Sequence, residues 1–240
     1  MKNRIVTISR EFGSGGRTIG KAVAEKLGIP CYDAELFQKL AKESGFAEDY
    51  VKQTSECMPG GHLESLFANR TLGPTNEDIL WDIQNKVILE IAQKGPCVIV
   101  GRCADYILRE KADCLKVFIH AAPSFRAQRI VKEYGERGQS AQRRLRDKDK
   151  RRAAYHRFYT DMKWGDSHNY HISLDSGVLG MERCTEIISA LFLSRKGSWG
   201  RMTRFQPSCL RKSTHCLTSY RSTLSKHFTE MRYASDSSAT

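Results

Sequence analysis

A short β-branched run, Ile5-Val6-Thr7-Ile8, leads into the turn Gly13-Ser14-Gly15-Gly16-Arg17-Thr18, and a helical apolar pattern follows directly through Ile19, Val23, Ala24 and Leu27. A strand that enters a helix through glycines aims free main-chain N–H groups at one point. The helix dipole adds partial positive charge there, and glycines let an anion approach the backbone closely. The turn approximates GxxxxGK[ST], with Glu11 at the first glycine position and Arg17 in place of lysine. Arg17 can still neutralise phosphate oxygens through its planar fork, and Thr18 places a hydroxyl where Mg²⁺ could be met. The alternative is a tight strand–helix turn that binds nothing.

The alternation continues along the chain. Pro30-Cys31-Tyr32 reads as a second strand, ending in Asp33 as the cap of a helix over 34–44, and residues 45–75 read as an irregular or short-helical insertion. Asn76 to Gln93 is amphipathic, with Ile79, Leu80, Ile83, Val87, Ile91 and Ala92 on one stripe. Cys97–Val100 and Leu115–Ile119 are apolar strands, residues 124–157 a basic helical region, Tyr170–Leu174 the last strand, and Met181–Leu193 the closing helix. Apolar strands separated by helices predict an α/β fold, with a parallel sheet of about five strands covered on both faces.

Charge separates the chain into two parts. The net charge is +12. Residues 195–240 hold nine Lys/Arg, two Asp/Glu and 15 Ser/Thr, without apolar periodicity. The reading is one domain over 1–194 and a basic tail over 195–240 expected to be disordered, because so little apolar area cannot offset ordering entropy. Residues 126–157 carry a local excess of eight positive charges, where a mobile element covering phosphates would sit. The eight cysteines form no CxxC pair and the seven histidines no metal-ligand spacing, which argues against a zinc or disulfide framework. With no apolar stretch near roughly 18 residues and no room for a signal peptide before Ile5, a soluble cytoplasmic protein without a membrane partner is expected.

Several ordered motifs carry a resemblance: Ile8-Ser9-Arg10-Glu11-Phe12-Gly13-Ser14-Gly15-Gly16-Arg17, Ile29-Pro30-Cys31-Tyr32-Asp33, Val98-Ile99-Val100-Gly101-Arg102-Cys103-Ala104-Asp105, Asp149-Lys150-Arg151-Arg152-Ala153-Ala154-Tyr155, and Trp164-Gly165-Asp166 through Asn169-Tyr170. Together they resemble the cytidylate kinase-like family of P-loop kinases from about residue 4 to 193. The resemblance implies a three-layer P-loop NTPase fold with a basic helical lid. It implies phosphoryl transfer from ATP, with Mg²⁺, to a nucleoside monophosphate, CMP or dCMP first. It also implies that Gly13, Ser14, Gly15, Gly16, Arg17 and Thr18 hold the donor, Thr18 meeting the metal. Asp33, Arg102, Asp105, Asp149 and Arg152 would line the monophosphate site, and Arg17, Arg126, Arg129 and Arg152 would act on the transferred group.

Two positions depart from bacterial cytidylate kinases proper: Cys103 stands where an aspartate follows the Gly-Arg pair, and Leu145 where a lid arginine stands. Base identity stays open on this reading, as does the oligomeric state (monomer or dimer). Nucleic acid is not an expected partner of the core. Alternatives are a nucleotide-binding regulatory module without turnover, a P-loop kinase of another small metabolite, and nucleic-acid binding through the tail. Arg10 and Glu11 are either functional or paired with each other. Tyr155, Phe158, Tyr159 and Trp164 are expected to pack the lid onto the core.

Overall fold

A computed structural model describes residues 4–33, 42, 43, 45, 76–136 and 138–194. Most of the expected helix over 34–44, nearly all of the insertion over 45–75 and the tail over 195–240 lie outside the described residues. At the centre runs β1 (Arg4–Arg10), whose Ile5, Val6 and Ile8 are completely buried. Successive strand residues point to opposite faces, so Ile5 joins one core layer with Val87, Ile88, Ile99 and Leu108. Val6 and Ile8 join the other, with Ile19, Val23, Val98, Val100 and Ile188.

Around β1 the sheet is completed by β2 (Cys31–Tyr32), β3 (Cys97–Val100), β4 (Asp113–His120) and β5 (Ile172–Asp175), in the order β2-β3-β1-β4-β5. Every pairing is parallel; β1 aligns Ile8 with Val100 on one side and Val117 on the other. Parallel strands need crossovers. These contain α1 (Gly16–Leu27), α2 (Asn76–Lys94), α3 (Ala104–Ile107), α4 (Pro123–Tyr134) and α5 (Ala141–Thr160), while α6 (Ser176–Leu179) and α7 (Met181–Ser194) follow β5.

Three sequence expectations change in detail. The basic stretch 124–157 is two helices, because Gly135 ends α4 with its N–H on the Val131 carbonyl and the Ser140 hydroxyl caps α5 by accepting from Arg143 N. On α2 the stripe turns by a residue: Ile79 is over a third exposed, whereas Ile88, absent from the expected stripe, is fully buried. The last strand begins at Ile172, because Tyr170 and His171 still belong to the exit from a 3₁₀ turn at Ser167–Asn169.

The two basic helices are joined by apolar contact. Leu145 of α5 is buried against Ala127 and Ile130 of α4. The position where a lid arginine was compared thus anchors the lid root, and burying such a side chain contributes about 1.5–3 kcal/mol. No helix among the described residues is long and apolar enough to cross a membrane.

Candidate active site

The carboxyl ends of β1, β3 and β4 converge on the glycine-rich turn, where parallel α/β sheets place ligands. Pairing outlasts β1 by one residue, since Glu11 N–H donates to the Ile119 carbonyl at 2.9 Å. The chain then turns through Gly13 and Gly15, both left-handed at φ +83° and +81°, a region closed to most side chains. A Cβ on Gly13 would lie 2.8 Å from Ile130 Cγ2 and 2.9 Å from the Arg126 carbonyl oxygen. Helix α1 starts at Gly16, so its first main-chain N–H groups open toward the space above the turn.

Ser14 faces the other way. Its side chain is fully buried, with Oγ 2.9 Å from the Glu11 carbonyl and 3.1 Å from that of Ile119. Its own carbonyl accepts from Ser176 Oγ at 2.6 Å. The hydroxyl of Ser14 is therefore spent on holding the turn from beneath, which leaves its main chain as the part that could face a donor.

Above the turn lies an open cleft of about 720 Å³, lined by seven basic and three acidic side chains. The cleft wall includes Gly13, Gly15, Gly16, Arg17 and Thr18 from the turn, and Arg129 and Arg152 from α4 and α5. Arg129 Nη2 donates to Thr18 Oγ1 at 3.0 Å. Arg152 Nη1 donates to the Arg10 carbonyl at 3.4 Å, and its guanidinium stands 5.7 Å over the Phe12 ring. Arg17, half-exposed, reaches the buried Asp33 with an Nη2–Oδ1 distance of 3.3 Å and a close Nε–Oδ2 pair. Asp33 and Arg17 thus meet each other across the donor side, rather than standing apart as donor and acceptor groups.

Arg126 and Asp149, expected on the transferred group and in the acceptor site, meet each other. Arg126 is buried and points away from the cleft: Nε donates to the Ala121 carbonyl at 3.0 Å and lies 3.3 Å from Glu11 Oε2, while Nη1 reaches the Phe12 carbonyl and Asp149 Oδ2. Asp149 Oδ1 accepts from Phe12 N–H at 2.7 Å. Both carboxylate oxygens of Asp149 are therefore committed to the turn and its brace. Glu11, at the position of the missing first glycine, accepts from Ala121 N–H at 3.2 Å. Glu11, Arg126 and Asp149 form one charged strut from the turn to the lid root, and only a position-by-position mismatch with the loop pattern singled out Glu11 in advance.

Burial raises the Glu11 pKa above its ordinary 4.5, outweighing the opposing Ala121 N–H and Arg126 charge. Folded protein then binds more protons than unfolded chain above pH 4.5, so this contribution is present at low pH and lost as pH rises through the folded value. Glu11→Gln cannot lose it. The unfolding free energy of Glu11→Gln relative to the unsubstituted chain should therefore rise from pH 4.5 to about 7 in urea titrations; a flat or falling difference contradicts the assignment.

On the acceptor side, Gly101, Arg102 and Cys103 are three successive left-handed residues at φ +82°, +62° and +52°. Two of them are not glycine, a conformation that costs energy and persists where surroundings enforce it. Here Gly101 N–H donates to the Ile8 carbonyl, and Gln84 Nε2 to that of Arg102 at 3.1 Å. Arg102 is buried, and burial pushes the Cys103 thiol well above its usual range, leaving it unreactive. Asp105 is buried with Oδ2 3.6 Å from His156 Nε2, a link between α3 and α5. One oxygen of its carboxylate is thus directed toward the lid helix.

Aromatic packing completes that link: Trp81 stacks on Tyr159 at 4.2 Å, Tyr155 is buried, and Trp164 meets Phe118 edge-on at 5.4 Å. Phe158 alone of the four expected packing residues stays about half exposed. Among the described residues no group of His, Cys, Asp or Glu could by itself hold a metal.

A parallel five-stranded sheet in this order, with a glycine-rich turn between its first strand and helix, defines a P-loop kinase fold. The model of the cytidylate kinase-like family matches residues 5–178, and the chain belongs to that family. It is 32% identical over 190 residues to a cytidylate kinase of Archaeoglobus fulgidus, covering 76% of this chain and 91% of that one. It is 26% identical over 174 residues to a cytidylate kinase of Methanothrix thermoacetophila, with coverages of 72% and 88%. Among solved structures, an uncharacterized protein from Eubacterium ventriosum superposes with a TM-score of 0.61 at 29% identity, covering 80% of this chain and 99% of that one.

Proposed function

We propose that residues 1–194 transfer the γ-phosphoryl group of Mg²⁺-bound ATP to a nucleoside monophosphate, with CMP and dCMP as the leading acceptors. The observation that carries this is the position of the left-handed Gly13–Gly15 turn beneath a cleft with seven basic side chains against three acidic ones. Phosphoryl transfer asks for positioning and charge neutralisation more than for a covalent nucleophile. The amides of residues 13–18 cradle the donor phosphates. Arg17, Arg129 and Arg152 spread positive charge around the group in transit. Thr18 offers its hydroxyl to the Mg²⁺ that arrives with ATP, a fitting single ligand because Mg²⁺ keeps most of its water and phosphate oxygens.

The acceptor phosphate is assigned to Arg102, whose strained turn holds it rigidly at the end of β3. Displacement of Arg17 from Asp33 would accompany loading of the donor. A second reading draws on that same pair: with Arg17 held by Asp33, the chain binds nucleotide without turnover.

An acceptor screen tests the proposal. Purified full-length protein with Mg²⁺-ATP should convert CMP or dCMP to the diphosphate with a kcat on the order of 1–100 s⁻¹, as kinases commonly show. Calorimetric binding of ATP with no transfer to any nucleoside monophosphate favours the second reading and defeats the first.

A further inference from the structure

We propose that Arg10, which no loop motif assigns, is the fixed cation of this site: it contacts the phosphoryl group in transit and stands in for the missing loop lysine. This rests on the kinase reading above and names a further catalytic residue within it.

Arg10 is the last residue of β1 and is 8% exposed, yet it lines the cleft. Its side chain occupies a seat made by two glycines. A Cβ on Gly16, the first residue of α1, would fall 2.5 Å from Arg10 Cβ, and a Cβ on Gly101 would collide with the Arg10 guanidinium. The stem therefore passes against the donor turn, and the guanidinium rests on the acceptor turn that presents Arg102. Two other cations of the cleft are directed elsewhere: Arg17 turns to Asp33, and Arg129 reaches Thr18. Arg152 of the lid root closes over it by donating to the Arg10 carbonyl.

A cation fixed in such a place needs no rearrangement as charge develops, and partial burial strengthens its field. In the transfer, an oxygen of the acceptor phosphate bonds to the γ-phosphorus while the γ-phosphorus bond to the bridging oxygen of ADP breaks. Arg10 keeps all its protons and forms no bond. Its fork neutralises the equatorial oxygens, a geometry for which a guanidinium suits better than an ammonium.

The test is Arg10→Ala and Arg10→Lys in the full chain, assayed with Mg²⁺-ATP and the acceptor preferred by the unsubstituted protein. Arg10→Ala should lose roughly 10²–10³ in kcat with a much smaller change in the KM for ATP. Free guanidinium ion at low millimolar concentration should restore part of that rate by refilling the seat, which a purely structural role would not allow. Arg10→Lys should fall between. A folded Arg10→Ala protein with kcat within about threefold of the parent, or a loss that guanidinium leaves untouched, overturns the proposal.

If Arg10→Ala does not fold, arginine side-chain ¹⁵N spectra of the unsubstituted protein decide, with Arg10→Lys assigning the signal. The Arg10 Nε resonance should move when inorganic triphosphate and Mg²⁺ are added, and an unmoved resonance overturns the proposal. Because this readout needs no turnover, it also separates failure of the Arg10 assignment from failure of the kinase reading.

Discussion

Arg126→Met is expected to lower the unfolding free energy by about 3–5 kcal/mol, enough to leave a domain of this size barely folded. The substitution keeps an unbranched apolar stem and removes the charged guanidinium. Glu11 and Asp149 then face each other across the strut without a shared cation, and the carbonyls of Ala121 and Phe12 lose their donor. Breaking one partner of a buried charge network costs more than the network contributes, because the remaining charges stay desolvated. Asp149→Asn should cost less, since Phe12 N–H retains a carbonyl oxygen to donate to. Urea unfolding at 25 °C checks the order, and a loss below about 1 kcal/mol for Arg126→Met would show that the strut is only a surface pair.

A large loss of activity is also expected from Gly13→Ala. One added methyl group meets Ile130 Cγ2 and the Arg126 carbonyl at distances no real Cβ tolerates, at a φ of +83°. The carbonyl belongs to helix backbone and cannot swing aside, so the turn itself must move. Displacing a positioning element by about 1 Å commonly costs on the order of 10² in rate. Steady-state kinetics with Mg²⁺-ATP should show at least that loss in kcat/KM, accompanied by weaker ATP binding in calorimetry. Unchanged ATP affinity in a folded Gly13→Ala protein would remove the turn from the donor site.

How much of this was legible beforehand depends on whether periodicity or partnership carried the signal. Among the described residues the five strands and the long helices follow from apolar runs and stripes and lie within a few residues of their expected places, while most of the helix expected over 34–44 lies outside them. The helices Ala104–Ile107 and Ser176–Leu179 were missed because four residues are too short to show a helical period. The turn Gly13–Thr18 could be located from its glycines and its place between a strand and a helix, whereas its assignment to a donor phosphate drew on the family resemblance.

Side-chain direction could not be recognised in that way. Ser14, Asp105, Arg126 and Asp149 are the residue types a phosphate or nucleotide site uses, but each is engaged inside the protein by a partner distant in sequence. Asp149 and Phe12 are the clearest case, 137 residues apart and 2.7 Å from each other. Glu11 carried a usable hint, since a carboxylate at a glycine position of an anion-binding loop needs a cation to hold it away from the anion. Nothing in the linear spacing pointed to Arg126 as that cation. Arg10 was equally opaque, because its seat depends on Gly16 and Gly101 meeting it from two different turns.

Phosphoryl transfer here requires main-chain amides of the first βα turn to grip a polyphosphate although the loop lysine is absent. A crystal structure with Mg²⁺ and a non-hydrolysable ATP analogue tests this most directly. β-Phosphate oxygens are expected about 2.7–3.2 Å from the amide nitrogens of Gly15, Gly16 and Arg17, with Arg17 drawn off Asp33. A triphosphate bound elsewhere, with those amides left to solvent, would contradict it.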